Sequence, residues 1–277
     1  MNSERIAELL KPFLRAPIAV PGNSGLSNSS DSEAPEGCHS EPAKAGEESA
    51  VLSPAQLHNI STYIDILIRW NARINLTAVR DPEDIVTRHF GESLFAARHL
   101  FPRDADVGTA ALGCPAERSS AALTVADIGS GAGFPGLPIK LWSPHISLTL
   151  IESNHKKAAF LREVTRALTL TDVNIQNKRA ETLTGNTFDV VTLRAVERFE
   201  SIIAIAAALV APAGRLALLL GASQQDQVHS TLPYFTWSEA VPVPSSRARI
   251  LLMGHRHLGS STDGENQEGN SGPNSRS

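Results

Sequence analysis

Val125-Ala-Asp-Ile-Gly-Ser-Gly-Ala-Gly-Phe-Pro-Gly136 decides the fold. An apolar run at 123–128 leads into four glycines within eight residues, and a helical stretch follows near 136–142. Glycines at such a junction let the backbone turn tightly and approach a ligand closely. Working outward, strand-length apolar runs fall at 123–128, 146–151, 173–177, 188–193 and 215–220. Helices near 136–142, 154–168 and 199–210 separate them, which implies a parallel sheet with right-handed crossovers. A short helical stretch follows residue 220. Two further strands, near 234–241 and 247–254, have no helix between them and are expected to pair antiparallel. The predicted class is α/β and Rossmann-like, a mainly parallel seven-stranded sheet with a final antiparallel hairpin. An N-terminal helical segment precedes it.

That segment begins with a short helix at 4–14, within a unit spanning 1–20. Residues 21–50 are rich in Ser, Gly, Pro and Glu and read as a disordered insert. Residues 51–102 form a helical segment. Ser53-Pro54 is a start signal, and Leu57, Ile60, Ile64, Leu67 and Ile68 form an apolar stripe to about Arg73. Asp81-Pro82 starts a second helix, through Ile85, His89, Leu94 and Leu100, with a possible break at Gly91. Residues 103–121 form an insert loop, 122–257 the ligand-binding domain, and 258–277 a low-complexity disordered tail.

The net charge of −4 conceals an uneven distribution. The stretches 22–50 and 258–277 hold nine of the 29 acids and two of the 25 Lys and Arg residues. The remainder has 23 bases against 20 acids, a net +3, which fits a polyanionic partner. Cys38 and Cys114 lie in polar stretches and read as surface thiols, with no zinc or disulfide framework expected. No apolar run approaches a membrane span, and the N-terminus lacks a signal peptide's apolar core. A soluble, cytoplasmic, metal-free monomer is expected.

Ligands of such sheets lie beyond the carboxyl ends of the strands. Gly131, Gly133 and Gly136 fit the dinucleotide pattern G-x-G-x-x-G, a weak signal alone. Asp127 stands two residues before Gly129. S-adenosylmethionine has no pyrophosphate to place on a helix N-terminus, and its ammonium-bearing tail suits an acidic, carbonyl-lined loop. Glu152, ending the second strand, can accept two ribose hydroxyls, a feature shared with NAD proteins.

Other residues carry a functional and a plainer reading. Arg194 follows the apolar run Val190–Leu193, so it can grip a phosphate or guanine edge, or pair with Glu197 or Glu200. Arg88 and His89 can serve a site or complement a helix C-terminus. Asn71 and Asn75, four apart, can contact substrate or cap the helix end. Lys156 and Lys157 open a helix and suit RNA phosphates or solvent. His255-x-His257 suggests a metal, or simple exposure.

Several elements together resemble a known family. They are Trp70-Asn-Ala-Arg-Ile-Asn-Leu-Thr77, Arg88-His-Phe-Gly-Glu-Ser93, Asp127 to Gly136, Leu150-Ile-Glu-Ser153, Lys156-Lys157 through Phe160-Leu161, Arg179-Ala-Glu181 and Leu193-Arg-Ala195. Their order and spacing over residues 53–254 resemble the small-subunit (16S) ribosomal RNA guanine-N7 methyltransferases, the glucose-inhibited division protein B family. The resemblance implies a class I methyltransferase fold and S-adenosyl-L-methionine as cofactor. It implies that Gly129, Phe134, Ala180, Glu181 and Arg194 contact that cofactor, beside Gly131, Gly133 and Glu152 from the loop reading. It further implies small-subunit ribosomal RNA as partner, with the helical segment 53–100 packing beside the sheet and helping to form the RNA face. The chain has Glu92 where the family usually has Asp, and Leu220-Gly221 where it usually has Lys-Gly.

The residues also narrow the chemistry. Methylation at pyrimidine C5 needs a cysteine nucleophile near strand four or five, and neither cysteine is there. Exocyclic amine methylation typically uses Asn/Asp-Pro-Pro-aromatic after strand four, where this chain has Arg194-Ala-Val-Glu197. Guanine N7 needs neither, because its in-plane lone pair is free at neutral pH. Glu92 or Glu181 is a candidate to balance the charge that develops on the guanine. The catalytic candidates are therefore Arg194, Glu92 and His89, with no general base identified. Two alternatives remain open at this point, an NAD-dependent oxidoreductase on the same fold and a ribosome-binding protein with weak catalysis.

Overall fold

A computed structural model describes residues 1–15, 52–103, 122–183, 185–194 and 199–257, without the side chains of Phe199 and Glu200. Residues 21–50, 104–121 and 258–277, and with them both cysteines, lie outside these residues.

Five strands run parallel: β1 (Thr124–Ile128), β2 (Ser147–Ile151), β3 (Val173–Gln176), β4 (Phe188–Arg194) and β5 (Val210–Gly221). Three more follow: β6 (Phe235–Trp237), β7 (Val241–Pro242) and β8 (Arg249–Arg256). The order is β3-β2-β1-β4-β5-β8-β6, and β7 pairs with β8 off this path. β8 is antiparallel to both β5 and β6. The seven-stranded path with a reversed penultimate strand agrees with the sequence reading. The expected strand at 234–241 instead divides into β6 and the two-residue β7.

Alternation along the strands sends side chains to two layers. Val125, Leu148, Leu150, Val190 and Leu219 face α5 (Gly136–Trp142), α6 (His155–Ala167) and the N-terminal helices. Ala126, Ile128, Val191, Leu193, Leu218 and Leu220 face α7 (Phe199–Ala208) and α8 (Gln225–Thr231).

The N-terminal helices bring function-bearing residues onto the first layer. α1 (Ser3–Arg15) buries Ile6, Leu10, Phe13 and Leu14. α2 (Pro54–Asn71) starts in a capping box, with Ser53 Oγ accepting from Gln56 N and Gln56 Oε1 from Ser53 N. It ends at Asn71, not Arg73, so Asn75 lies in the following loop. Its buried face includes Tyr63 and Ile66, whereas Ile68 of the expected stripe is 40% exposed.

The second helix is α3 (Pro82–Ile85) and α4 (Glu92–Leu100) joined through a π-helical turn, Val86–Gly91. The break expected at Gly91 is thus a widened turn, a feature that often marks functional sites. Gly91 is required by a close approach. A Cβ there would lie 2.5–2.7 Å from the fully buried ring of Phe13 on α1. We expect Gly91→Ala to destabilise the fold by about 1–3 kcal/mol through overpacking. Chemical denaturation should show a lower midpoint, and an unchanged midpoint would show that α1 does not dock as described.

Candidate methyl-transfer site

The glycine loop leaves β1 with Gly129, Gly131 and Gly133 at φ values of 66°, 56° and 85°. These are left-handed conformations that L side chains rarely adopt. Gly133 is also sterically closed, since a Cβ would overlap the Tyr63 hydroxyl and sit 2.6 Å from Leu137. Above Gly129 a Cβ would meet nothing within 4 Å, so that side of the loop is open.

Asp127 anchors the loop from beneath. Its side chain is fully buried. Oδ2 accepts from Gly136 N at 3.2 Å and Oδ1 from Thr192 Oγ1 at 3.0 Å, while Ser130 Oγ donates to its backbone carbonyl. The sequence suggested that this acid suits a ligand ammonium. The structure turns it inward, because Asp127 shares β1's inner face with Val125. Desolvation raises its pKa from 3.8 to about 7, against the pull of the Thr192 and Gly136 hydrogen bonds.

Glu152 stands just past β2 and is largely buried. Oε2 accepts from Gly131 N at 2.9 Å and Oε1 from Asn154 N at 2.7 Å. The carboxylate therefore fixes the loop's crest, and each oxygen keeps a lone pair for a ligand hydroxyl. Asn154 also caps α6, accepting from the backbone N–H groups of Lys156 and Lys157, and the Lys156 side chain stays exposed. Ala180 and Glu181 form a separate short helical turn after β3, with Ala180 buried and Glu181 exposed.

Phe134, at the loop's far end, joins sheet to helices. Its ring stacks on Tyr63 (centroids 5.4 Å, 2°) and on His89 (4.8 Å, 25°), with Phe90 edge-on at 5.1 Å. The Tyr63 hydroxyl donates to the carbonyl of Ala132 within the loop.

The π-helical turn aims His89 and Arg88 at the end of β4. Arg194 Nη2 donates to the Arg88 carbonyl at 2.7 Å, lies 2.9 Å from His89 Nδ1, and pairs with Glu92 Oε2 at 3.2 Å. Arginine only donates, so Nδ1 of His89 is the acceptor and Nε2 carries the proton. That proton points to Thr77 Oγ1, 2.8 Å away. Burial first, then the Arg194 charge, lowers the His89 pKa from 6.5 to about 3. Burial also lowers that of Arg194 to about 10, so it stays a cation. Asn71 supports this frame by holding Leu76 N and Thr77 N, which is the capping role rather than substrate contact.

Glu92 is shared. Its Oε2 also lies 3.1 Å from Arg249 Nε, and Arg249 Nη2 donates to the Leu219 carbonyl. A single oxygen of Glu92 thus bridges Arg194 and Arg249. Leu220 is a core residue facing the α7 layer, while Arg249, opposite Gly221 on β8, supplies a cation at this strand end. Tyr63, Thr77 and Arg249 were not singled out from the sequence. Arg194 takes Glu92 as its partner; Glu197 and the Glu200 side chain lie outside the described residues. His257 Nε2 lies 2.8 Å from Thr236 Oγ1, and no cluster of three or more metal-ligating residues occurs among the described residues. Nor is any described helix long and apolar enough to cross a membrane. A cavity of about 920 Å³ lies at the opposite strand ends beside Leu123, Trp142 and Arg215.

The strand order and the glycine loop define a Rossmann-like class I methyltransferase. The family model described as GidB, rRNA small subunit methyltransferase G, matches residues 56–117 and 116–249, and the chain belongs to that family. Ribosomal RNA small subunit methyltransferase G of Xylella fastidiosa is 35% identical over 71% of this chain and 82% of that protein. The protein of the same name from Chloroflexus aggregans is 37% identical over 73% and 82%. A crystal structure of ribosomal protein L11 methylase from Lactobacillus delbrueckii subsp. bulgaricus aligns with a TM-score of 0.48 and 13% identity, over 61% of this chain and 79% of that one. The oxidoreductase alternative is set aside by this membership.

Asp127 and His89 generate a prediction. In Asp127→Asn, the amide oxygen can accept from Gly136 N and the amide nitrogen can donate to Thr192, so folding is retained. Asp127→Ala leaves a buried donor unmet and costs about 1–3 kcal/mol. The raised Asp127 pKa means that the folded state holds an extra proton between pH 3.8 and about 7, so its contribution falls as pH rises through that window. The advantage of Asn over Asp should therefore grow from about pH 4 to 7. The depressed His89 pKa has the opposite sign, with stability lost as pH falls from 6.5 towards 3. Denaturation at a series of pH values checks both, and a pH-independent difference between Asp and Asn would contradict the assignment.

Proposed function

We propose that this chain transfers a methyl group from S-adenosylmethionine to N7 of a guanosine in small-subunit ribosomal RNA. One observation carries the reading. The two family-matched segments converge where Phe134 is clamped between Tyr63 and His89 and Arg194 closes onto the same turn.

The site's chemistry fits such a ligand. The loop is open above Gly129, and Glu152 presents a carboxylate at the strand end, suited to ribose hydroxyls. S-adenosylmethionine supplies an electrophilic methyl on a sulfonium. We assign Gly129, Gly131, Gly133, Phe134, Glu152, Ala180 and Glu181 to holding it. Arg194, held at the end of β4 by the Arg88 carbonyl, His89 and Glu92, would contact the cofactor and face the incoming base. A guanidinium bidentate to guanine O6 and N7 would occupy the attacking lone pair, so Arg194 serves through O6 or a phosphate. The neutral His89 accepts from Arg194 and orients it. No residue is needed to remove a proton from N7, so the protein's contribution is alignment of the two reactants, worth roughly 7–11 kcal/mol when complete. A flipped or single-stranded guanosine suits the site, because the major groove of an RNA duplex is deep and narrow.

Purified protein, labelled S-adenosylmethionine and small subunits from a strain lacking the modification should yield label on guanosine N7 by mass mapping. Label confined to protein, or on another atom of the RNA, would refute the reading. Glu92→Gln should lower kcat/KM about a hundredfold, since a shift on the order of 1 Å can cost that much, with cofactor affinity little changed.

A further inference from the structure

Beside Glu92 lies a further cavity of about 600 Å³. The π-helical turn contributes Thr87 and Arg88. The turn from β7 to β8 contributes Ser245, Ser246 and Arg247, and β8 contributes its first residue, Arg249. Phe13 and Asp84 complete the wall.

The cavity is cationic. Arg88, Arg247 and Arg249 face Asp84 and Glu92, and Glu92 is already paired with Arg194 from behind. Arg88 and Arg247 are exposed, and neither makes an ion pair with a described residue within 4 Å. The turn is closed on itself. Val243 N donates to the Arg249 carbonyl at 2.9 Å, Ser246 N to the Val243 carbonyl at 3.2 Å, and Arg249 N to Ser246 Oγ at 3.2 Å. Arg247 therefore projects from a fixed loop. One carboxylate oxygen links the cavity to the reaction site, 3.1 Å from Arg249 and 3.2 Å from Arg194.

We infer that this cavity receives a backbone phosphate of the RNA next to the target nucleotide, held mainly by Arg247 and Arg88. The inference rests on the proposed function. Guanidinium forks match phosphate oxygens in geometry and charge. Threonine and serine hydroxyls add neutral donors of the kind that contact nucleic-acid backbones. Such contacts set register without reading sequence. Here they would hold the strand beside the base that meets Arg194, so Arg247 is a substrate-binding residue whose loss appears in KM.

Arg247→Gln tests this in the full chain, with small-subunit RNA binding and methyl transfer followed at several salt concentrations. The expected result is a several-fold weaker RNA affinity and a correspondingly raised KM. The salt slope of log affinity should fall by about one. kcat at saturating RNA and affinity for S-adenosylhomocysteine should be unchanged. Arg247→Lys, which keeps the charge, should recover most of the affinity. An unaltered RNA affinity and salt slope in Arg247→Gln, with wild type active, overturns this inference and leaves the proposed function standing. Absence of transfer by wild type overturns the proposed function, and this inference with it.

Discussion

A carboxyl group with no access to water holds the ligand end of this sheet together. Asp127 binds Gly136 at the start of α5 and Thr192 on β4, so three elements meet on one side chain. Desolvating a carboxylate is costly unless hydrogen bonds replace the lost water. The chain meets that cost in part through these bonds and in part by raising the group's proton affinity. These bonds anchor both ends of the glycine loop to the sheet and α5. Glu152 then fixes its crest through Gly131, and Phe134 is delivered to a single place between Tyr63 and His89.

From Phe134 onward the order is electrostatic. The π-helical turn presents a carbonyl and an unprotonated imidazole nitrogen to one guanidinium, and α4 adds the carboxylate of Glu92. Each partner restricts Arg194 further, and none removes its charge. The longer glutamate side chain at position 92 reaches Arg249 as well, which ties β8 to the helices. Here the helical segment does more than cover the sheet, because it supplies the Arg88 carbonyl, His89 and Glu92 that orient Arg194.

Much of this was legible in the sequence, for reasons that can be named. The strands read clearly because buried parallel strands are continuous apolar runs bounded by turn residues. The glycine loop read clearly because few sequences place four glycines beyond an apolar strand. The inward direction of Asp127 follows from period-two alternation with Val125, whereas its position just before the glycines suggests a ligand-facing acid. What stayed hidden depends on contacts far apart along the chain. His89 and Arg194 are 105 positions apart, and Tyr63 and Ala132 are 69 apart. The role of Arg249 follows from antiparallel register, which places it opposite Gly221. The approach of Phe13 to Gly91, the last residue of the π-helical turn, likewise joins residues far apart in the chain.

The central claim is that the loop above Asp127, crested by Glu152, is shaped to hold a sulfonium nucleoside. Calorimetric titration of the folded protein with S-adenosylhomocysteine tests it most directly. Saturable heat with one site per chain, and none with NAD, is the predicted result. A flat titration in a sample whose folding has been verified would contradict it.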